Sequence, residues 1–404
     1  MNPGQLYSAF LANVAQTSVT PVGIVVERAR GCSITAAGGQ EYIDLLAGIG
    51  VAALGHQHPR VLEAIQEQAH RHLHVMVYGE YVQRQQVELA RRLAELLPPP
   101  LESVYFTNSG SEAVEGALKL ARKLSGRSSL LAFRGAFHGD TLGAVSIGGN
   151  PVYRDPFEPL LPGVGFMEFN EVDSLDAINE DVAAVIVEPV QAEAGVVLPK
   201  PGFLPELRRR CTEAGTLLIF DEVITGLGRT GRLFALEHER VVPDVLLLAK
   251  ALGGGLPLGA FVSSKRAMRC LAVDPPLGHV TTFGGHPLSC AAGLAALEVI
   301  VEEDLSTAAS DRGGFFAELL RERLAGDALL ELRQIGLLLG LEMASAATAA
   351  AFTKECLREG LILGWTLHDD CVVRLAPPLV ISESELDEAS LRMQRALARV
   401  TADG

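Results

Sequence analysis

Three charged residues each follow directly on a short apolar run of the sequence. They are Glu188, Asp221 and Lys250. Near-continuous apolar runs of about five residues are typical of strands that are buried on both faces of a parallel sheet. The carboxyl ends of such strands face one crevice, where open α/β sheets bind their ligands. Because charges at that edge are costly to desolvate unless they are used, we expect these three side chains to share a functional site.

A fourth apolar run, residues 103–107, is followed by a turn of small residues and then by a helical pattern. The turn contains Ser109, Gly110 and Ser111. The first turn of a helix offers free backbone N–H groups and the positive end of the helix dipole, which together suit a phosphate group. Taken alone, the same residues also fit an ordinary helix N-cap that binds no ligand.

A lysine, a carboxylate and a phosphate site together match the needs of pyridoxal phosphate. Lys250 would form the Schiff base, and Asp221 would pair with the pyridinium nitrogen and keep the ring a strong electron sink. Partial burial beside a cationic ring would help Lys250 to lose its proton. Phe137 follows the apolar run at residues 130–133 and would supply an aromatic side chain for one face of the ring. The sequence therefore predicts a pyridoxal-phosphate enzyme.

The elements that position these residues alternate along the chain of 404 residues. Apolar runs alternate with helix-period stretches from about residue 60 to residue 300, which predicts a doubly wound, mostly parallel α/β domain over residues 46–303. Its expected strands cover residues 103–107, 130–133, 183–187, 217–220 and 245–249.

The sequence pattern of residues 304–404 predicts a smaller α+β domain. We expect residues 1–45 to be part of this domain as well. The helices expected there cover residues 306–324 and 384–400. The strands expected in these two segments cover residues 23–27, 41–45, 337–343 and Val372–Leu375.

The composition excludes several classes of function. A net charge of −15 argues against a nucleic-acid surface, because neutralising phosphates requires basic clusters. No apolar stretch is long enough and free enough of charge to span a membrane, so we expect a cytoplasmic protein. The six cysteines are far apart and are expected to be reduced thiols. His70, His72 and His74 have no nearby carboxylate or cysteine at ligand spacing, so we expect no metal site.

The segments around these residues resemble those of the class III, fold-type I aminotransferases, among them the acetylornithine and ornithine aminotransferases. Seven segments carry the resemblance, in order along the chain: NSGSEAVEGALKLAR (108–122), AFHGDTLGAVSIGG (136–149), VIVEPVQAEAGVV (185–197), LLIFDEVITGLGRTG (217–231), LAKALGGGLPLGA (248–260), TTFGGHPLSCAAG (281–293) and VVRLAPPLVIS (372–382).

The resemblance implies a role for particular residues. It identifies Lys250 as the catalytic lysine. The residues that it implies for cofactor binding are Ser109, Gly110, Ser111, Phe137, His138, Glu188, Asp221, Val223, Ile224 and Thr282. Those that it implies for substrate binding are Asp140, Glu193, Thr281 and Arg374.

The resemblance also implies a mechanism and an assembly. Glu193 would cover Arg374 while an amine substrate binds, and would release it for the carboxylate of glutamate or 2-oxoglutarate. The two substrates would react in turn, by ping-pong kinetics. Thr282 would reach the phosphate of a neighbouring subunit, which implies a homodimer with shared active sites.

Two positions depart from the acetylornithine and ornithine pattern. Asp140 stands where those enzymes carry an arginine that holds a substrate carboxylate, and Ile224 stands where they carry a glutamine beside the cofactor hydroxyl. An acid at position 140 would repel that carboxylate, so a terminal-amine or amino-ketone substrate fits at least as well.

Two other functions are weighed against transamination. An aminomutase or amino-acid epimerase would use the same cofactor without an acceptor, but it would not need the pair of Glu193 and Arg374. An NAD-dependent oxidoreductase would use Gly226, Gly228 and Gly231 as a G-x-G-x-x-G motif. That reading is disfavoured because only a short helical stretch follows these glycines, and the acids Asp221 and Glu222 precede them instead of following about twenty residues later.

Overall fold

The computed structural model describes residues 1–402 of the chain. Its strands are β1 Val26–Arg30, β2 Ser33–Ala36, β3 Glu41–Asp44, β4 Ser103–Thr107, β5 Ser129–Phe133, β6 Val164–Met167, β7 Val182–Val187, β8 Leu217–Asp221, β9 Val245–Leu248, β10 Gly259–Ser263, β11 Leu329–Ile335, β12 Leu338–Met343, β13 Leu361–Ile362, β14 Gly364–Trp365 and β15 Val372–Leu375.

The helical elements include one short left-handed turn, labelled α2. They are α1 Pro3–Asn13, α2 Ala47–Gly50, α3 Pro59–Arg71, α4 Arg84–Leu96, α5 Gly110–Ser125, α6 Leu142–Ser146, α7 Pro151–Arg154, α8 Phe203–Ala214, α9 Lys265–Met268, α10 Pro287–Glu302, α11 Leu305–Arg323, α12 Ala346–Arg358 and α13 Glu383–Ala402. Within residues 1–402, no helix has the length and apolar character needed to cross a bilayer.

The large sheet has seven strands in the order β4-β10-β9-β8-β7-β5-β6. The five strands from β9 to β6 are parallel, while β10 is antiparallel to both β4 and β9. This confirms the mostly parallel α/β fold, and each of the five apolar runs forms a strand. β6 and β10 were not predicted. The residues of β7, β9 and β10 are buried along their whole length, as expected of strands covered on both faces.

Helices cover the sheet and bury its side chains. α5 presents a face of small and apolar residues to β9 and β10. Gly116 allows the closest approach, because a Cβ atom there would lie 2.3 Å from the ring of Phe261. In α10, ten of the sixteen residues are buried, and this helix packs against α3 and α4. α10 also contacts the turn that begins at Lys250, so the helix packing extends to the carboxyl edge of the sheet.

Two smaller four-stranded sheets complete the fold. One has the order β11-β12-β15-β14 and is accompanied by α11 and α12, while the other has the order β1-β2-β3-β13. β13 lies late in the chain and pairs parallel with β3, so the N-terminal strands share a sheet with the C-terminal region. The strand expected at residues 23–27 begins later, at Val26, because residues 21–25 pair with no strand. The domain boundaries at 45/46 and 303/304 stay predictions.

The turn α2 has an unusual backbone. Ala47, Gly48, Ile49 and Gly50 all have φ between 51° and 77°, the left-handed region that a β-branched residue such as Ile49 rarely occupies. The buried carboxylate of Asp44 holds the start of this turn, accepting hydrogen bonds from the backbone N–H groups of Leu46 (2.9 Å) and Ala47 (2.8 Å). The chain then continues into Val51, beside the large sheet.

Candidate active site

One cavity of about 470 Å³ lies at the carboxyl edge of the large sheet. It brings together most of the side chains that the sequence singled out, although they come from five separate segments of the chain. The predicted residues that line it are Ser109, Gly110, Ser111, Phe137, His138, Asp140, Glu188, Glu193, Asp221, Val223, Ile224 and Lys250.

Asp221 is the last residue of β8 and is held in one orientation. Its Oδ2 atom lies 2.8 Å from Nδ1 of His138, and its Oδ1 atom accepts a hydrogen bond of 3.0 Å from the N–H of Val223. Both side chains are buried. The other ring nitrogen of His138, Nε2, is buried without a hydrogen-bond partner in the described chain. The pair therefore presents a fixed carboxylate to the cavity.

Lys250 follows β9 and begins a short 3-10 turn, Lys250–Gly253. Its backbone is in the left-handed region, with φ of 50°, which is strained for a side chain of this type. Burial lowers the pKa of the Lys250 ammonium, and the cation of Arg374 lowers it further, against the opposing effect of nearby carboxylates such as Glu193. This shift makes the uncharged amine, which a nucleophile or a base requires, more accessible than in a free lysine side chain.

The start of α5 forms a tight cradle beside the lysine. The hydroxyl of Ser109 caps the helix by accepting a hydrogen bond of 3.2 Å from the N–H of Glu112. A Cβ atom at Gly110 would lie 3.0 Å from the side chain of Val223, and one at Gly139 would lie 2.0 Å from Oγ of Ser111. The first N–H groups of this sixteen-residue helix thus border the cavity, where they suit an anion.

Glu188 follows β7 and binds the loop that carries Phe137. One of its oxygens accepts a hydrogen bond of 2.9 Å from the N–H of Phe137, and the other accepts one of 3.3 Å from the N–H of Ala192. Burial raises the pKa of Glu188 to about 7. These contacts give Glu188 a role in holding that loop, and it also lines the cavity.

Glu193 and Arg374 form a buried ion pair beside the cavity. Oε1 of Glu193 contacts Nη1 of Arg374, and the two side chains are 8% and 3% exposed. Oε2 of Glu193 accepts a hydrogen bond of 3.0 Å from the N–H of Leu367. Arg374 lies in the middle of β15, between β12 and β14, and its Nε atom is buried with no partner among the described residues. Within residues 1–402, one N–H group of the guanidinium is thus left without an acceptor, although Arg374 itself is not part of the cavity lining.

Of four further predicted site residues, two line the cavity and two do not. Asp140 is exposed at its edge, while Ile224 is buried in its wall, 3.5 Å from where a Cβ atom at Gly50 would lie. Thr281 and Thr282 do not line it. Thr281 contacts Asn108 at 3.2 Å, and Thr282 is exposed.

Some lining residues were missed by the sequence analysis. Val51 reaches the cavity from the left-handed turn α2, and residues 255–258 reach it from the loop that connects the lysine to β10. His368 lies behind Phe137, with the two ring centres 6.2 Å apart. No local pattern marks these positions, because they depend on contacts between distant segments.

The glycines at 226, 228 and 231 do not form a dinucleotide site. They lie in a series of turns, and the next helical element is the short 3-10 helix Ala235–Glu237 rather than a helix packed on the sheet. Arg229, within this stretch, is buried and donates hydrogen bonds to the carbonyl groups of Leu337 and Pro377. The segment therefore joins the large sheet to the smaller one.

Four features together define a pyridoxal-phosphate enzyme of fold type I. They are the sheet order, the lysine after β9, the acid that ends β8 and the helix that starts beside them. The model of the family described as "Aminotransferase class-III" matches residues 14–397. The chain belongs to the class III aminotransferases.

Individual relatives agree with this assignment. The chain is 47% identical to an acetylornithine aminotransferase of Methanopyrus kandleri over 360 residues, which cover 89% of this chain and 90% of the relative. Its structure is similar to that of an ornithine aminotransferase of Toxoplasma gondii, with a TM-score of 0.93, 33% identity and coverage of 100% and 95% of the two chains. It is also similar to an omega-transaminase of Thermomicrobium roseum, with a TM-score of 0.92, 30% identity and 99% coverage of both.

Class III aminotransferases use pyridoxal phosphate, and the residues of this cavity fit that cofactor. Lys250 offers an amine whose pKa is lowered, and Asp221 offers a fixed carboxylate. The glycine-lined start of α5 leaves room for a phosphate, and the ring of Phe137 borders the same space. The cofactor prediction is thereby confirmed.

Proposed function

We propose that this enzyme transfers an amino group from a terminal-amine or amino-acid donor to a keto acid, with 2-oxoglutarate or glutamate as the second substrate. The observation that carries the proposal is the amine of Lys250, whose pKa is lowered, in one cavity with Asp221 and the start of α5. Family membership supports the reaction type. The two substrates would occupy this cavity in turn.

Each residue would contribute a defined step. When bound, pyridoxal phosphate supplies a carbonyl carbon that accepts the amino group and a ring that withdraws electrons. Lys250 would hold the cofactor and, once displaced by substrate, its Nζ atom would take and return the proton at the substrate carbon. Asp221, oriented by His138, would keep the ring nitrogen protonated. The N–H groups of Gly110 and Ser111 would hold the phosphate.

Glu193 and Arg374 would allow one cavity to accept two kinds of substrate. With Glu193 on Arg374, the pair is neutral and an amine without an α-carboxylate can bind beside it. A keto acid would bring its own carboxylate, which replaces Glu193 as the partner of Arg374. A buried cation loses its partner at low cost only when a new anion takes that place.

Asp140 would set the preference among donors. Its exposed carboxylate lies at the edge of a cavity whose lining, among the described residues, contains no lysine or arginine besides Lys250. This balance favours a donor whose far end is neutral or cationic over one that ends in a carboxylate. We therefore propose a terminal amine of that kind as the donor.

The active enzyme would be a homodimer in the cytoplasm. Thr282 is exposed and lies outside the cavity of its own chain, as a residue that reaches a second copy's site would be. The neighbouring Phe283 is also exposed, as are the large side chains of Tyr81 and Val82 elsewhere on the surface. Mixing a Lys250→Ala chain with a Thr282→Ala chain tests this, because hybrid dimers would contain one intact site and regain activity that neither variant has alone. Mixtures as inactive as the two parents would refute shared sites.

The reaction itself is tested by the visible spectrum of the purified enzyme while candidate amines are added one at a time. Acetylornithine, ornithine, lysine, glutamate and simple diamines would be compared. We expect at least one donor to bleach the cofactor band, and 2-oxoglutarate to restore it with one glutamate formed for each donor consumed. Conversion of the donor without any acceptor would instead identify an aminomutase or epimerase. Full turnover by a Lys250→Ala variant would refute the role of the lysine.

A further inference from the structure

His368 lies in the loop of residues 366–369, between β14 and β15, and connects that loop to the cavity wall. Its Nδ1 atom lies 2.8 Å from the carbonyl oxygen of Gly135. Because a carbonyl oxygen can only accept, Nδ1 carries the proton and donates it. Burial lowers the pKa of His368, so at neutral pH the ring is uncharged and this N–H is its only one.

The ring of His368 also packs against two aromatic neighbours. The ring of Phe137 is 6.2 Å away in an edge-on arrangement, and the ring of Tyr153 is 5.5 Å away at an angle of 34°. Phe137 lines the cavity, and Gly135, which accepts the hydrogen bond, precedes it by two residues. His368 thus anchors its loop directly on the segment that carries Phe137.

The backbone of the same loop holds Glu193. The N–H of Leu367 donates to Oε2 of Glu193 at 3.0 Å, and the N–H of His368 donates to the carbonyl oxygen of Glu193 at 3.0 Å. The loop is closed on itself by the buried hydroxyl of Thr366, which donates to the carbonyl oxygen of Asp369 at 2.6 Å. Glu193 can leave Arg374 only by giving up the hydrogen bond from Leu367 as well.

We propose that His368 is a positioning residue for the exchange of the two substrates: by anchoring its loop on Gly135, it keeps Glu193 over Arg374 until a carboxylate arrives. This inference rests on the proposed transamination and deepens it. A loop freed from Gly135 holds Glu193 less firmly, so Arg374 is uncovered more often. Losing one hydrogen bond of this type corresponds to a change of about 2- to 10-fold in an equilibrium.

The expected effect differs between the two half-reactions. In a His368→Ala variant, the KM for 2-oxoglutarate falls by about 2- to 10-fold, because Glu193 is displaced more easily. The KM for a donor without an α-carboxylate rises by a similar factor, because an uncovered Arg374 repels its cationic form. A purely structural role would weaken both half-reactions alike.

Two amide variants provide the matched comparison. The side-chain nitrogen of Asn can take the position of Nδ1 and donate to Gly135, whereas that of Gln lies near the position of Nε2 and cannot. Single-turnover measurements of each half-reaction, followed by the cofactor spectrum, would be made on wild type, His368→Ala, His368→Asn and His368→Gln. Hydrogen–deuterium exchange of the peptide covering residues 363–372 in the holoenzyme gives a readout that is independent of activity.

We expect His368→Asn to resemble wild type in both readouts, and His368→Gln to resemble His368→Ala, with faster exchange in the loop. Equal effects of Asn and Gln, or a parallel loss in both half-reactions, would overturn the inference. Failure of the proposed function is distinguishable, because then the wild-type enzyme itself would transfer no amino group. If His368→Ala does not fold, the comparison of His368→Asn with His368→Gln still tests the inference.

Discussion

Replacing Glu193 by glutamine removes the negative charge that neutralises Arg374 and nearly keeps the shape of the side chain. Both side chains are almost fully buried, and Nε of Arg374 already has no partner among the described residues. Breaking a buried ion pair by removing one partner costs about 3–5 kcal/mol, because the remaining charge stays buried without compensation. The amide oxygen of glutamine can still accept one hydrogen bond, so we expect a loss of about 3 kcal/mol in the free energy of unfolding.

The same substitution should change substrate binding in opposite directions. A carboxylate that reaches Arg374 no longer has to displace Glu193 and now relieves an unpaired cation, so 2-oxoglutarate should bind up to about 100-fold more tightly, since 1.4 kcal/mol corresponds to tenfold. A donor without an α-carboxylate should bind less tightly. Loss of the carboxylate should also lower the pKa of Lys250 further, because Glu193 raises it in the wild type. The acidic limb of the amine half-reaction, along which Lys250 loses its proton, would then shift toward lower pH.

Urea unfolding and single-turnover half-reactions across pH would measure these changes. Asp176→Asn is the matched control, because it removes a carboxylate from an exposed ion pair with Arg210, which keeps Glu206 as a partner. Exposed pairs contribute about 0–1 kcal/mol, so the control should be close to wild type in stability and in substrate binding. If Glu193→Gln is as stable as this control and binds 2-oxoglutarate no more tightly than wild type, the alternation between Glu193 and a substrate carboxylate is refuted.

Three further predictions concern the phosphate cradle, a buried acid and the donor. Gly139→Ala should weaken cofactor binding by about tenfold or more, because φ at this position is 118° and the new Cβ atom would lie 2.0 Å from Oγ of Ser111. Titration of the apoprotein with the cofactor would measure this change. The control is Gly126→Ala, also at positive φ but with open space around it, which should lower stability without changing the affinity for the cofactor. Burial raises the pKa of Glu222 from 4.5 to about 8, so its contribution to stability is complete below pH 4.5 and is lost as the pH rises through 8, by up to about 5 kcal/mol. In urea unfolding between pH 5 and pH 8, the free energy of unfolding should therefore fall less steeply with pH for Glu222→Gln than for wild type. Equal slopes for the two proteins would contradict the raised pKa of Glu222. Asp140→Arg should lower the KM for ω-amino acids with a distal carboxylate by about three- to tenfold, and an unchanged KM would remove this residue from donor selection.

The residues at strand ends were predictable because burial on both faces leaves a clear local pattern. Runs of apolar residues mark β7, β8 and β9, and the first charged residue after or at the end of each run enters the cavity. The direction of β10 was not predictable in this way. Its residues are as apolar as those of a parallel strand, and only its pairing with β4 and β9 makes it antiparallel.

The parts of the site that the sequence did not reveal depend on contacts between distant segments. Val51 enters the cavity because four successive residues of α2 adopt left-handed conformations, although Ala47 and Ile49 have no local preference for them. His368 meets Gly135 across 233 positions of sequence. Such contacts follow from the packing of one sheet against another and leave no periodic signal in the chain.

The antiparallel strand β10 also has a consequence for the order in which the protein acquires its active site during synthesis. β4 lies at the edge of the large sheet and pairs with β10, which is made about 150 residues later. β4, which leads into the start of α5, therefore has no partner strand until residue 263 has left the ribosome, although α5 also packs on β9, and Arg374 arrives later still. A nascent chain that ends before β10 should thus retain no cofactor, even though it already contains Asp221 and Lys250.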